Sequence, residues 1–379
     1  MSRRTALVYH DAMSQHTLGP SHPMRPVRLQ YTFDLMSAYG LSRLPNVSLV
    51  LPRDAKDAEL ESFHTAEYVA AVKAFSQGDR LPEQPAFNFA DNSDNPTFEG
   101  MYGAAALSTG ASLKAAELLL EGKADVAFNI SGGLHHAMDD HASGFCVFND
   151  PAVAINAMTA KGLKVMYIDI DAHHGDGVQA AFYNTDQVLT LSMHESGRYL
   201  FPGTGEVEEM GSERGRGYSV NVPLAPNTSD DVFRWAFEEV VPPIVEAFKP
   251  DVIATQLGID PYFNDPLTHL LLTVQGHAQI VQRLGEHSPG MWLAFGGGGY
   301  DLMAVARAWT LDLAVMAEHH LDDDLPASFR QQYQGADKLR DAEIPNVEDD
   351  ILPKTLLYAQ RSVQEVQQSV FPLLGIGSS

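Results

Sequence analysis

Apolar runs and amphipathic stretches alternate along most of the chain. Short apolar runs bounded by polar or glycine residues predict buried strands at 5–9, 47–51, 125–130, 164–170, 187–193, 218–223, 251–257 and 291–295. Longer stretches between them repeat apolar residues at helical spacing and predict helices at 97–121, 151–161, 229–248, 276–287 and 301–318. Pro151 after Asp150 is typical of a first-turn proline behind an N-cap, and Gly162 stands where that helix should stop.

This alternation predicts an α/β fold. Because the strands are apolar on both faces, we expect a mostly parallel sheet covered by helices, in a single three-layer α/β/α domain that spans residues 1–379. The last part, 321–379, differs from the rest. It opens on the acidic run Asp322-Asp323-Asp324 and continues into an amphipathic helix at 354–373, whose packing site the sequence does not reveal.

The charge of the chain narrows its range of partners. A formal net charge of −24 and a pI near 4.8 argue against a nucleic-acid partner, because no basic patch is available to displace counterions from phosphates. The single cysteine, Cys146, excludes an intrachain disulfide and suits a reducing compartment. With neither a secretory signal nor a membrane-spanning stretch in view, we expect a soluble cytoplasmic protein without a membrane partner. Its oligomeric state is left open.

Polar clusters follow several of the predicted strands directly. In parallel α/β folds, ligands bind beyond the carboxyl ends of the strands. The chain has such clusters after 125–130, 164–170, 251–257 and 291–295, namely Ser131 to His136, Asp169 to Gly177, Leu257 to Asp260 and Gly296 to Tyr300. Four strands that are each followed by a polar cluster at one edge of the sheet indicate a functional site more strongly than any single motif.

The segment Asp169 to Gly177 is the most informative of these clusters. In an extended strand, Asp169, Asp171 and His173 would share one face, and burying them together is costly unless a cation lies among them. Carboxylate oxygen and neutral imidazole nitrogen are both zinc ligands, and Asp260 offers a third ligand. Three protein ligands and an open position are typical of a catalytic zinc. The alternative interpretation is a solvated polar loop.

The other clusters predict groups that would act beside the metal. The pair His135-His136 needs carboxylate partners to fix its tautomers, and Asp169 and Asp176 are available for that role. Tyr300 can donate a hydrogen bond to developing negative charge, although the four glycines before it are also compatible with a flexible turn. Nearby aromatic and apolar residues, each compatible with simple packing, together predict a narrow channel for a long side chain: Phe145, Tyr199, Phe201 and Leu267.

The chain resembles the zinc-dependent histone deacetylases of the class I type, in the branch of bacterial acetoin-utilisation and deacetylase-like proteins. The matching blocks run in the family's order over roughly 20–310 and are highly specific as a set, with the domain core expected at about 20–320. They are His22 to Arg28, Asp94-Asn95-Pro96, Gly132 to Ala137, Gly144-Phe145-Cys146, Asn149-Asp150, Asp169 to Val178, Phe201 to Gly205, Leu257 to Asp260, and Gly296 to Tyr300.

The resemblance implies an arginase/deacetylase-like fold and a role for each matched residue. It implies one zinc ion on Asp171, His173 and Asp260, an oxygen-rich set of ligands that by its chemistry also accepts Fe(II). His136 would be the general base and then the acid, His135 a second electrostatic imidazole, and Tyr300 the oxyanion donor. Asp176 would support His136, and Asp169 would support His135. Substrate-binding residues would be Asp94 at the rim, Gly144, Phe145, Phe201 and Leu267 along the channel, and Arg28 at its inner end.

The resemblance also implies potassium ions and a substrate class. The inner potassium site would use Asp169, Asp171, His173, Ser192 and Met193, and the outer one Phe182, Thr185, Val188 and Tyr218. The substrates would be acylated lysine side chains of proteins or peptides. Asn264 departs from the glycine usual before Asp-Pro-Leu, and Pro261-Tyr262-Phe263 also depart, which leaves the acyl preference open.

Three other functions compete with lysine deacylation. An acetylpolyamine amidohydrolase would favour a glutamate at the rim, where this chain has Leu267. An arginase-like ureohydrolase would need a second metal. A non-catalytic binder of acylated proteins would be expected to lack a metal ligand, His136 or Tyr300, and this chain has them all.

Overall fold

The computed structural model describes residues 2–15, 18–19, 21–91, 93–345 and 350–377. Its strands are β1 (Thr5–Val8), β2 (Val47–Val50), β3 (Val126–Asn129), β4 (Val165–Asp169), β5 (Val188–Glu195), β6 (Ser219–Leu224), β7 (Val252–Gln256) and β8 (Trp292–Phe295). Its helices are α1 (Val27–Ala38), α2 (Asp57–Leu60), α3 (Ala66–Ser76), α4 (Met101–Leu120), α5 (Asp150–Thr159), α6 (Asp176–Phe182), α7 (Asp230–Phe248), α8 (Val274–His287), α9 (Leu302–Met316), α10 (Ala327–Gln332) and α11 (Leu352–Ser369).

The strands form one sheet in the order β2-β1-β3-β8-β7-β4-β5-β6, and every pairing in it is parallel. The four central strands, β3, β8, β7 and β4, are buried at every position. This explains why they read as continuous apolar runs rather than alternating ones. The α/β prediction is therefore confirmed, and the sheet is parallel throughout.

Helices cover the sheet as two packed series. Helices α3, α4, α5 and α6 pack on one another in chain order, and α4 also contacts β3 and β1. The second series runs from α1 through α9, α8 and α7 to α11. These series are the outer layers of the three-layer sandwich.

The C-terminal helix α11 covers the last edge of the sheet. It packs on β6 and α7, and the hydroxyl of Ser362 donates to the carbonyl of Pro223 in β6 at 2.7 Å. Edge strands carry unpaired backbone groups, so this helix shields the β6 edge. The opposite edge strand, β2, leaves Leu49 44% exposed.

Two local predictions need correction. Asn149, rather than Asp150, caps α5, because its side chain accepts from the backbone N–H of Ala152. Strand β4 ends at Asp169, so Asp171 and His173 lie on a loop and not on one face of a strand. The carboxylates cause this: Asp169 accepts from Asp171 N, and Asp171 accepts from His173 N, which replaces ladder hydrogen bonds by turns.

Candidate metal centre and catalytic site

Asp171, His173 and Asp260 converge beyond the carboxyl ends of β4 and β7. The Nδ1 atom of His173 lies 3.1 Å from Asp171 Oδ1 and 3.0 Å from Asp260 Oδ2. One ligand atom from each residue falls within 4.8 Å of the others, and all three side chains are buried. Because β4 and β7 are neighbours in the sheet, residues nearly ninety positions apart in sequence meet here.

Glycines bring the backbone close to these carboxylates. A Cβ atom on Gly258 would lie 2.0 Å from Asp171 Oδ2, and one on Gly298 would lie 2.0 Å from Asp260 Oδ2. The Gly298 N–H also donates to Asp171 Oδ2 at 2.9 Å. Any larger residue at either position would push the carboxylates apart.

The charge of the cluster fits a divalent cation. Burial, followed by the charge of Asp171, raises the pKa of Asp260 to about 6. Buried carboxylates held this close are costly unless a positive group compensates them. The buried guanidinium of Arg28 is already hydrogen-bonded to the carbonyls of Gly297 and Gly299, each at 2.7 Å. Two carboxylate oxygens and an imidazole nitrogen are a donor set that zinc and Fe(II) accept.

The histidine pair lies beside this cluster. Nδ1 of His135 contacts Asp169 Oδ2 at 2.7 Å, Nδ1 of His136 contacts Asp176 Oδ1 at 2.6 Å, and the two Nε2 atoms are 3.0 Å apart. The ring centroids of His136 and His173 are 5.8 Å apart. The structure therefore brings each imidazole together with the carboxylate predicted for it.

The two imidazoles differ in charge. Burial opposes protonation of His135, but Asp169 and Asp171 together outweigh it and raise the pKa of His135 to about 9. Burial and then the neighbouring His135 lower the pKa of His136 to about 4, although Asp176 opposes this. One ring is thus charged and the other neutral near pH 7, and the neutral ring can accept a proton.

A buried carboxylate shapes the loop that carries the pair. Asp150 accepts from the N–H groups of Gly133 and Leu134 at 3.1 and 2.8 Å, and from the hydroxyl of Ser112. Gly133 has φ of 86°, and a Cβ there would lie 2.7 Å from the carbonyl oxygen of Gly296. The loops after β3 and β8 can therefore touch only through glycine.

Tyr300 follows the glycine run at the end of β8. Its N–H donates to Asp265 Oδ2 at 2.8 Å, and its ring packs edge-on against Phe145 with centroids 5.8 Å apart. Burial, then the charge of Asp260, raises the pKa of the phenol well above its usual value, so the hydroxyl keeps its proton. Asp301 caps α9 directly after Tyr300.

Aromatic side chains surround the approach to the histidines. Phe201 packs edge-on against His136 with centroids 5.1 Å apart and is 44% exposed, which puts it at the mouth of the site. Phe145 has φ of 69° and also contacts the His22 ring at 4.7 Å. A Cβ on Gly144 would lie 2.3 Å from the Cδ2 atom of His136, so only glycine lets the backbone approach the ring this closely.

Two other predicted substrate residues differ in burial and in hydrogen bonding. Leu267 is half-buried, and its N–H donates to Asp265 Oδ1 at 2.9 Å. Asp94 is exposed, and its carbonyl, rather than its carboxylate, lies 3.2 Å from His22 Nε2. The buried neighbour Asn95 accepts from the N–H of Phe145 at 3.0 Å.

Arg28 lies at the inner end of the site. It is buried, stacks over Trp309 with its guanidinium carbon 5.2 Å from the ring centroid, and borders a largely apolar cavity of about 80 Å³. Met13, Leu29, Leu134 and Phe145 also line this cavity. The expected inner end of the channel therefore has open space beside a cation.

The residues predicted to hold potassium group around β4 and β5. Asp169 and Ser192 are register partners in these neighbouring strands, and Met193 follows Ser192. For the outer site, the Phe182 carbonyl accepts from Thr185 N at 3.3 Å, and Tyr218 O accepts from Thr190 N at 2.9 Å. Val188 opens β5. Potassium at either site stays a prediction.

Several polar residues support the site although the sequence did not predict that they would. Gln256 donates to Asp171 Oδ2 at 2.6 Å, and the Tyr167 hydroxyl donates to Asp169 Oδ2 at 2.7 Å. Asp150, Asn95 and Asp265 each accept backbone N–H groups of site loops. A polar residue inside or directly after an apolar strand was the available signal for Gln256 and Tyr167.

Comparisons with known proteins place most of this chain in one family. The family model of the histone deacetylase domain matches residues 22–316. The acetoin utilization protein AcuC of Bacillus subtilis is 42% identical over 314 residues, which is 81% of this chain and 80% of AcuC. Histone deacetylase RPD3 of Saccharomyces cerevisiae is 38% identical over 339 residues, covering 88% of this chain and 77% of RPD3.

A solved structure is similar over nearly the whole chain. The crystal structure of a histone deacetylase homologue from Aquifex aeolicus superposes with a TM-score of 0.83 and 31% identity, covering 94% of this chain and 100% of that one. This chain belongs to the histone deacetylase family, whose members are hydrolases of acetyl-lysine amides. Among the helices that the structure describes, none has both the length and the apolar character that crossing a membrane requires.

Proposed function

We propose that this protein is a zinc-dependent lysine deacylase that removes acetyl groups from the side chains of proteins or peptides. The observation that carries the proposal is the convergence of Asp171, His173 and Asp260 directly beside the imidazole of His136. Asp171, His173 and Asp260 would hold a divalent cation, which would supply Lewis acidity to polarise the amide carbonyl and to lower the pKa of a water molecule.

The chain's own groups would then move the protons. His136, held through Nδ1 by Asp176, takes a proton from the attacking water and later gives it to the departing lysine nitrogen. Charged His135 adds electrostatic stabilisation without exchanging protons. The phenol of Tyr300 donates a hydrogen bond to the oxyanion as it forms.

The channel supports an acyl-lysine as the substrate. Phe145 and Phe201 border the approach to His136, and such apolar walls suit the aliphatic stem of a lysine. Half-buried Leu267 offers no carboxylate for a polyamine cation, which disfavours an acetylpolyamine substrate. We also propose potassium at the two carbonyl-rich sites described above, and a role for Asp94 in holding the substrate backbone at the rim.

A substrate panel run with defined metals tests this proposal. Metal-stripped protein reloaded with Zn²⁺ or Fe²⁺ would be assayed on acetyl-, longer-acyl- and lactyl-lysine peptides beside acetylspermidine and acetylputrescine. We expect metal-dependent turnover with a higher kcat/KM on acetyl-lysine peptides than on either polyamine. Faster hydrolysis of the polyamines would overturn the substrate assignment, and full activity of the stripped protein would overturn the metal assignment.

A further inference from the structure

Asp265 is a buried carboxylate that the mechanism above does not use. It lies five residues after Asp260, is 8% exposed, and accepts from two backbone N–H groups on different loops. Its Oδ1 binds Leu267 N, and its Oδ2 binds Tyr300 N. This carboxylate therefore ties the loop after β7 to the loop after β8.

The loop that carries Asp265 is itself fixed to the metal centre. The hydroxyl of Thr268 donates to the carbonyl of Asp260, and the N–H of Asp265 donates to the carbonyl of Tyr262 at 2.8 Å. A carboxylate held in this way keeps a constant position relative to Asp260. The N–H that it holds on Tyr300 is thereby positioned relative to the same ligand.

The backbone around Tyr300 depends on this contact. Arg28 holds the Gly299 carbonyl, and Asp301 caps α9, but the Tyr300 N–H has no other acceptor in the described part of the chain. Gly299 has φ of 120° and Gly297 has φ of 147°, values open mainly to glycine, so the preceding backbone has little intrinsic rigidity. Without the carboxylate, the Tyr300 N–H would lose the one acceptor that it has among the described residues.

We propose that Asp265 is a positioning residue that sets the position of the Tyr300 hydroxyl over the reacting carbonyl, and through Leu267 the width of the channel. The inference rests on the proposed role of Tyr300 as oxyanion donor. A group acting only through that hydroxyl cannot matter to turnover once the hydroxyl is gone. This property separates positioning from a general structural role.

A double-mutant cycle tests the inference. Tyr300→Phe alone should lower kcat by about a hundredfold. Asp265→Ala alone should lower it on the order of tenfold to a hundredfold through misplacement of the phenol, and no more than Tyr300→Phe does. In the Tyr300→Phe background, Asp265→Ala should change kcat by less than about twofold, because contacting groups are not additive. Asp265→Ala should also change KM, because it releases Leu267 in the channel wall. That change in KM should be the same with Tyr300 and with Phe at position 300.

A matched control comes from Asp230, whose carboxylate accepts from the N–H and hydroxyl of Thr273 at 2.8 and 2.7 Å, between α7 and α8. Asp230→Ala removes a similar backbone contact and should leave kcat unchanged in both backgrounds. Asp265→Asn, which keeps one acceptor oxygen, should give an intermediate loss and covers the case in which the alanine variant does not fold.

The outcomes separate this inference from the proposed function. Equal losses from Asp265→Ala in the two backgrounds, or no loss in the parent protein, would overturn the positioning role. Wild-type turnover in Tyr300→Phe would instead overturn the oxyanion role on which the proposed function depends.

Discussion

Two regions of this protein bury histidine next to aspartate, and they differ in charge balance. Between α8 and α9, His277 Nε2 lies 3.1 Å from Asp312 Oδ2, and both side chains are buried. One imidazole meets one carboxylate there, and among the described residues no other acid contacts either group. At the carboxyl edge of the sheet, three imidazoles meet a larger set of carboxylates: Asp169, Asp171, Asp176, Asp260 and Asp265.

This difference in charge balance indicates which of the two regions binds a cation. The pair between the helices can balance its own charge, although burial still raises the pKa of Asp312. At the sheet edge, burial and then the charge of Asp260 raise the pKa of Asp265 to about 8, so a neighbouring carboxylate adds there to the effect of burial that also acts on Asp312. Buried acids that the protein does not neutralise itself indicate a cation from outside.

The largest expected effect comes from removing one acid at the sheet edge. Asp171→Asn should abolish bound metal and reduce turnover to background, because a neutral amide is a poor ligand for a divalent cation. Asp312→Asn is the matched control and should keep both metal and turnover. Metal content by elemental analysis beside peptide turnover measures this. A metal-replete, active Asp171→Asn protein would contradict the ligand assignment.

A smaller loss is expected from the imidazole beside the metal centre. His136→Ala should lower kcat about 10²- to 10⁴-fold, the usual worth of a general acid–base group, while metal content stays normal. His277→Ala removes an imidazole from the pair between α8 and α9. The folded fraction of that variant should turn over substrate at the parental rate. Steady-state kinetics on an acetyl-lysine peptide compares them. Similar losses in both variants would remove the distinction between the two regions.

The smallest effect on turnover is expected from the pair His277 and Asp312 between α8 and α9. The effect on stability should nevertheless be clear. His277→Ala should lower the free energy of unfolding by about 3–5 kcal/mol, because it leaves Asp312 buried and unpaired. Replacing both partners, as in His277→Phe with Asp312→Leu, should recover most of that loss. Urea unfolding measures both. If the double variant is as unstable as the single one, the pair does more than balance its own charge.

The sheet could be predicted from the sequence because its central strands are apolar on both faces and bounded by polar residues. The meeting of Asp171 with Asp260 was predictable for the same reason, since parallel strands end at one edge. The turn that ends β4 at Asp169 was not, because it depends on side chains that bond their neighbours' N–H groups. The link from Asp265 to Tyr300 joins residues 35 apart, and no local pattern predicts it.

Zinc binding by the parent protein tests the account most directly. Crystals grown with zinc and examined by anomalous scattering should contain one ion per chain, contacted by Asp171, His173 and Asp260. An empty cluster under those conditions, or an ion held by other residues, would contradict the account.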